Sequence, residues 1–594
     1  MKRLHALRDP WILGLLALLV LALGLRLWGI RYGLPVAYNL DERSHFVPRA
    51  VEFFASGSIN PDYQLNPAGL IEWIAAALAV VHRSREGVVD TWNTDPAEIW
   101  TVARVASALL ATAAVGFIYA AGARLLDHRA GLIAAALLAT CFLPVHYAHL
   151  ALNDAPSLAP SALALFAIAG VLRFGRARDY ALAGLALGVA VGLKYNAGYL
   201  LLALLTAAAL RASGRFDELG GEGRWKVRPA LTGLALAGVA LLAGFFVTDP
   251  YALLDFGRFR EDLEHLSTYT QGTLLLGETQ RSGYLYYLWS VGWGLGVIPA
   301  ALAVVGAIVL ALRNRVVALI LLPGPLLFFT YIGTQERHFA RYVMPLFPVL
   351  CLLAAVGAAW LATWLASRAG WHGRRAAVLT AVVAAIACAQ GLVYAVHNDI
   401  VLTREDTRTT TREWMVDHIP ARTRILVEPL VPREWYRDDG LPDADDPLAG
   451  FRWSRFVRSA ADIEQLAKRH PRSRSNADFA NYTFTLFPGL FDFYRARGVC
   501  WIVSGSGQSG RAFNNPKRVP AAIRYYRRLD REATLRFSAS PFGPPGSGPD
   551  HPFQYDHTFN YYPLDYERPG PVMRVYELRD CTAQRDPDAV AAAR

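Results

Sequence analysis

Apolar blocks of roughly 17–25 residues recur along this chain until about His397, with polar residues gathered between them. A run of about 20 apolar residues is what an α-helix needs to cross a bilayer. In hydrocarbon a helix is one of the few ways to satisfy every backbone group, so the pattern demands a polytopic α-helical membrane protein. Composition agrees. Of 594 residues 54% are hydrophobic and 18% charged, against about a quarter charged in soluble domains.

Eleven spans are expected, near 11–30, 99–123, 130–149, 156–173, 180–195, 197–212, 229–248, 284–312, 316–333, 342–366 and 376–396. The first is long and lacks a small-residue cleavage site, so it reads as a retained helix rather than a signal peptide. The net charge of +11 would suggest nucleic acid in a soluble chain, but its positions argue otherwise. Basic residues cluster in alternate short loops: Lys2, Arg3 and Arg8; Arg124 and Arg129; Arg173, Arg176 and Arg178. Arg211, Arg215, Arg224, Lys226 and Arg228, then Arg313 and Arg315, then Arg368, Arg374 and Arg375 continue the series. Basic alternate loops mark the cytoplasmic side. The charge therefore reports topology, and no nucleic-acid partner is expected. An odd number of spans starting inside leaves the C-terminus outside.

The stretch 68–81 is short for a span, contains Glu72 and is bracketed by Pro67 and Arg83. It reads as an interfacial helix within a first external loop, 31–98, because another span would invert every later loop. The near-absence of residues between the fifth and sixth spans implies that one of them is tilted or re-entrant.

Past His397 the chain turns polar, which divides it into a membrane part, 1–397, and an extracytoplasmic α/β domain, 398–594. Helical signals at 412–418 and 521–531 alternate with strand-like runs at 424–427, 499–503, 534–537 and 573–578, and 541–549 reads as a loop. Cys141, Cys351 and Cys388 fall in spans as packing residues. Cys500 and Cys581 lie where an oxidising compartment would permit a disulfide, which spacing alone does not establish. Gly505-Ser-Gly-Gln-Ser-Gly510 fits a dinucleotide-binding pattern, but Asn514-Asn-Pro516 interrupts the helix it would need and no acid follows on a second strand. It reads as a flexible loop.

Sorted by side, the titratable residues converge on the external face. Asp41, Glu42, Arg43 and His45 follow the first span; His146, His149, Asn153 and Asp154 lie between the third and fourth. Asp249, Glu261, Asp262 and Glu264 occupy the loop 248–283, and Glu336, Arg337, His338 and Arg341 the turn before the tenth span. An external enzyme has no nucleotide supply, so its substrate must arrive activated. A polyprenyl-phosphate sugar meets that need, with its tail in the bilayer and a phosphate leaving group that wants electrostatic stabilisation more than a proton. The acceptor hydroxyl needs a base. Asp41 suits the second task; Lys194, Arg337, His338 and Arg341 suit the first.

The order Asn39-Leu-Asp-Glu42, Asn66-Pro-Ala68, His146-Tyr-Ala-His149 through Asn153-Asp154, Gly192-Leu-Lys-Tyr-Asn196 and Arg337-His-Phe-Ala-Arg341 resembles the GT-C superfamily. The branch is that of protein O-mannosyltransferases and the aminoarabinose transferase of lipid A. The likeness covers essentially the whole membrane region, and 406–428 resembles the outer domain of bacterial members. It implies that Asp41 is the catalytic carboxylate with Glu42 completing the acidic pair, and that Asp154 sits near the acceptor or supports the base or a metal. It further implies that Arg337–Arg341 and Lys194 meet the lipid phosphate. Asn66 stands where many relatives carry His, and Ala68 replaces a second Pro.

Each residue also has a plainer reading. Asp154 suits a helix cap, Lys194 a snorkelling chain, and Arg337 and Arg341 interfacial anchors. His146 and His149 have the spacing of a metal pair or of interfacial histidines. Glu428, at a strand end, is an acceptor-side candidate. The sequence singles out no cofactor; a divalent metal ion shared by the acidic motifs stays open. The expected function is an inverting membrane glycosyltransferase moving a sugar from a polyprenyl-phosphate carrier to an extracytoplasmic lipid, glycan or protein, in a bacterial inner membrane. The alternative is a transporter or flippase of a polar or lipid-linked solute, which would bury its charges at the bilayer midplane on broken helices.

Overall fold

A computed structural model describes residues 9–213, 227–270, 276–277, 282–438, 451–455, 482–544, 547–553 and 564–585. Lys2, Arg3, Arg8, Arg215, Arg224 and Lys226 of the basic clusters, and part of 541–549, lie outside them.

Among the described residues seven helices are long and apolar enough to cross a bilayer: Pro10–Leu27, Pro96–Leu125, Tyr195–Ala212, Val227–Thr248, Arg315–Thr334, Ala340–Arg368 and Arg374–His418. Two more expected spans are bent pairs, and Leu158–Phe174 and Ala177–Leu193 are 17-residue helices. The stretch expected to lie at the interface is the helix Gly69–His82, whose Leu70, Ile71, Ile74 and Leu78 are fully buried.

The bends have local causes, and in each a polar side chain from another span compensates. Pro144 cannot donate to a carbonyl one turn back, so His128–Thr140 stops and Phe142–Ala148 leaves at 55°. Arg26, fully buried in the first span, donates to the helix-end carbonyls of Leu138 and Ala139 at 3.1 and 3.2 Å. The segment 284–312, expected as one span, is instead broken by 113° between Gly283–Gly294 and Val297–Arg313. Gly296, at φ +116°, takes a conformation closed to other residues. The Gln390 amide spans the break, accepting from Val297 N at 2.9 Å and donating to Gly292 O at 3.1 Å. Irregular backbone at membrane depth survives only where such partners exist.

Ala177–Leu193 and Val227–Thr248 approach through glycine. A Cβ at Gly184 or Gly188 would collide with the carbonyl oxygens of Ala237 and Leu241, the small-residue packing that lets apolar helices associate without a hydrophobic drive. This contact fixes the C-terminus of Ala177–Leu193, from which Lys194 projects in extended conformation.

Beyond the last long helix stands a five-stranded sheet: β1 (Arg424–Val427), β2 (Ser454–Arg455), β3 (Trp501–Gly505), β4 (Ala533–Ala539) and β5 (Met573–Leu578). The order is β2-β1-β3-β5-β4, with β1 parallel to β2 and β3, and β5 antiparallel to β3 and β4. Apolar clusters around Phe491 and Tyr525 and around Trp435 and Trp453 surround it. A Cys500–Cys581 disulfide staples the entry of β3 to the exit of β5. The glycine-rich stretch read as a flexible loop is instead ordered: Gly505 ends β3 and Ser506–Asn514 is a helix. That helix stops at Asn514, where Asn-Asn-Pro interrupts it.

Candidate active site

Directly after Asp41 the backbone winds into a π-helical turn, Glu42–Phe46, a wide geometry found often at functional sites. It sends the two adjacent acids in different directions. Asp41 Oδ2 meets Arg341 NH1 at 2.6 Å in the mouth of the helix bundle, with about a third of its side chain open to solvent. Glu42 points inward and is fully buried. Its carboxylate takes Arg104 Nε at 2.7 Å and NH2 at 2.9 Å, and Ala151 N at 2.9 Å. The bidentate geometry is what an enclosed ion pair needs to offset desolvation. Arg104 NH1 also donates to the carbonyls of Ile30 and Tyr32, both at 2.8 Å.

Glu42, expected to complete the acidic pair with Asp41, stands as a buried strut. It ties the turn holding Asp41 to a membrane helix and to the stretch running into Asp154, with no oxygen facing the mouth. Arg104 escaped the sequence reading, although an arginine well inside an apolar 30-residue helix, Pro96–Leu125, is the signal that could have found it.

Lys194 forms an ion pair with Asp154, both largely buried. Lys194 lies within electrostatic reach of Asp41 and Arg341, and Arg341 within reach of both carboxylates. Two acids and two bases from four distant stretches thus share one mouth. Burial alone would raise the Asp41 pKa, but the Arg341 guanidinium outweighs it and holds the carboxyl below its usual value. Asp154 is therefore a member of an ion pair rather than a helix cap, and Lys194 turns inward.

The floor beside Asp41 comes from 63–68. The His45 ring stacks on Tyr63 at 4.9 Å, Asn66 donates to Tyr63 OH at 2.6 Å, and Asn153 reaches Leu193 O at 2.8 Å and Asn66 at 3.4 Å. The loop after Val227–Thr248 clamps this floor. Asp262 accepts from Gln64 N at 2.7 Å, and Asp249 accepts from the Gln64 amide at 3.0 Å and from Ala68 N at 3.3 Å.

The remaining expected residues stand elsewhere. His338 Nε2 meets Gln335 O at 2.9 Å and its ring stacks on Tyr286. Arg337, also buried, lies 5.8 Å from the Phe339 ring. His146 pairs with Asn398 at 2.8 Å. His149 sits between Val145 O and Trp28 O, each at 2.9 Å, and 3.3 Å from Asp399. Despite their spacing the two rings serve different partners within the helix core. Glu428 lies inside the sheet, accepting from Ser504 Oγ at 3.0 Å, Gly505 N at 2.9 Å and Tyr526 OH at 2.7 Å. Neither the histidines nor Glu428 joins the mouth. Among the described residues no group of three or more His, Cys, Asp or Glu is arranged to hold a metal ion. Asp41 faces Arg341 and Asp154 faces Lys194.

Comparison with known proteins matches residues 98–219 to the dolichyl-phosphate-mannose-protein mannosyltransferase family. No curated protein sequence matches the chain significantly. Among solved structures the apo oligosaccharyltransferase of Archaeoglobus fulgidus aligns over 90% of this chain and 74% of its own, at 13% identity and a TM-score of 0.50. ArnT from Cupriavidus metallidurans bound to undecaprenyl phosphate aligns over 97% of this chain and 99% of its own, at 13% identity and a TM-score of 0.44. Residues 98–219 are thus similar to the dolichyl-phosphate-mannose-protein mannosyltransferases, and the archaeal likeness shows the fold, that of a multi-pass helical membrane protein.

Proposed function

We propose that the chain transfers a sugar, with inversion, from a polyprenyl-phosphate carrier to an acceptor hydroxyl at the external face of a bacterial inner membrane, with Asp41 as general base. The observation that carries this reading is the four-charge mouth: Asp41 and Asp154 each paired with a cation, Arg341 and Lys194, that a phosphate could claim. The matched family acts on dolichyl-phosphate mannose, and one solved relative holds undecaprenyl phosphate. Residues 1–397 form the catalytic membrane part, 31–98 its first external loop and 398–594 the outer domain. The Cys500–Cys581 disulfide suits an oxidising external compartment.

The ion pairs give the reaction an order. While Arg341 lies on Asp41, the carboxylate is a weak base. The donor phosphate draws Arg341 and Lys194 onto its oxygens, leaving Asp41 and Asp154 with surplus negative charge. Asp41 then takes the acceptor proton as the hydroxyl oxygen attacks the sugar anomeric carbon. The carbon–oxygen bond to phosphate breaks, its electron pair stays on phosphate, and the two cations stabilise that charge. A single displacement inverts the anomeric centre.

The test is transfer by full-length protein in lipid nanodiscs, offered undecaprenyl-phosphate monosaccharides as donors. Mass spectrometry of cell envelopes with and without the gene identifies the acceptor. Asp41→Asn should insert and fold normally yet form no product; near-normal transfer by that variant would overturn the reading.

A further inference from the structure

The chain between the first span and Asp41 is a run of turns, so something outside it must set where the carboxylate stands. Tyr38, three residues ahead of Asp41, packs into the apolar cluster of the sheet region with Met415, Ile419 and Trp435. Its hydroxyl pairs with Thr409 Oγ1 at 2.9 Å. The Arg408 guanidinium lies 3.8 Å over its ring. Arg408 is itself fixed, donating to both oxygens of Asp406 at 2.8 and 2.7 Å. Asp406 is also the N-cap of the helix Thr407–His418. That helix is anchored to the segment entering β5, where Thr407 donates through N to Pro569 O at 3.0 Å and through its hydroxyl to Pro571 O at 2.6 Å.

Asp41 therefore stands between two arginine anchors. Arg104 holds Glu42, on its C-terminal side, to a membrane helix. Arg408 holds Tyr38, on its N-terminal side, to the sheet region. Both anchors are stiff: a guanidinium locked by a bidentate carboxylate loses little further freedom when it also grips a neighbour. Reacting groups need placement to within about 0.5 Å, and a loop held at only one end does not provide that.

We propose that Arg408, acting through Tyr38, is a positioning residue for Asp41, so that the sheet region sets the geometry of the base at the bundle mouth. The anchor itself is independent of the transferase reading; only its kinetic consequence rests on that reading.

The experiment uses the full chain in nanodiscs and compares Arg408→Ala, Arg408→Lys, Tyr38→Phe and, as a control elsewhere in the sheet region, Arg528→Gln. Amide exchange of the peptide spanning 36–46 is measured first. Arg408→Ala should speed exchange there several-fold, Arg408→Lys should restore part of the protection, and Arg528→Gln should leave it unchanged. With whichever undecaprenyl-phosphate monosaccharide the wild type consumes, Arg408→Ala should lower kcat about ten-fold with donor KM within two-fold, the mark of a misplaced base rather than a lost binding contact. Tyr38→Phe, which keeps the ring but not the hydroxyl, should lose less. Unchanged exchange at 36–46 in Arg408→Ala, or an equal rise in Arg528→Gln, overturns the anchor. Faster exchange with unchanged kcat overturns the positioning role. If the wild type consumes none of the donors, the transferase reading fails while the exchange result still decides the anchor.

Discussion

In the mouth of the helix bundle Asp41 has a guanidinium 2.6 Å away, and its carboxyl is held below the usual range. In the sheet Glu428 receives three neutral donors, and burial pushes its carboxyl up to about 7. Both acids are withdrawn from bulk water, and what separates them is the company they keep. Neutral hydrogen bonds satisfy a carboxylate without supplying the opposite charge that repays desolvation. The mouth also stays partly open while the Glu428 pocket is sealed. One acid is partly open to solvent and balanced by a cation. The other braces β1 against β3.

The largest effect that tests this contrast is on turnover. Asp41→Asn keeps the shape and removes the proposed base, and should lower the transfer rate about 1,000-fold. Glu428→Gln should leave the rate within about three-fold, because its side chain contacts no reacting group. Comparable losses from the two would erase the distinction between the regions.

Next in size is the strut beneath Asp41. Removing one partner of a buried ion pair strands the other, so Arg104→Met should cost about 4 kcal/mol of stability. Adding Glu42→Gln to it should recover much of that, since no uncompensated charge then remains. The readout is thermal unfolding in nanodiscs. Additive losses would show that the two side chains are not coupled.

Third comes the counterion. Arg341→Gln leaves Asp41 partly buried without the guanidinium that holds its pKa down. In the wild type Asp41 stays ionised well below neutrality, so kcat/KM should be flat on the acid side of pH 7. In the variant its acid limb should move up towards neutrality, and kcat/KM at pH 7 should fall about 100-fold. An unmoved limb would separate Arg341 from the titration of Asp41.

How much of this was legible in the chain depends on distance along it. The spans were legible because bilayer thickness imposes a length on each apolar block, and the acids and bases at their ends followed from sorting loops by side. Asp41 pairs with Arg341, and Asp154 with Lys194. Glu42 was visible but its direction was not, because one π-helical turn decides which neighbour faces the mouth. The 113° break at Gly296 was hidden within an unbroken apolar run, since hydropathy does not register a backbone bend that a distant Gln390 repairs. His146 and His149 mark a limit of spacing: i, i+3 puts two rings on one face but does not choose their partners. Tyr38 and Thr409 are 371 residues apart, and nothing local in either stretch announces the other.

The smallest effect concerns Glu428. Its folded carboxyl titrates near 7 against an ordinary 4.5, so the folded state holds its proton more tightly than the unfolded chain does. The stabilising contribution is therefore complete at acid pH and is lost as pH rises through about 7. Between pH 5 and 7 this single group should remove about 2 kcal/mol from the sheet, roughly thirty-fold in amide protection. Glu428→Gln cannot titrate. Its carbonyl can accept from Ser504 and Gly505 while its amide donates to the Tyr526 hydroxyl, so the network survives with one bond reversed. Protection of the Arg424–Val427 and Trp501–Gly505 amides, corrected for intrinsic exchange, should thus fall with pH in the wild type and run flatter in the variant. Parallel pH profiles would mean that Glu428 is already ionised in the folded sheet, and that neutral donors hold a buried carboxylate as well as the guanidinium holds Asp41.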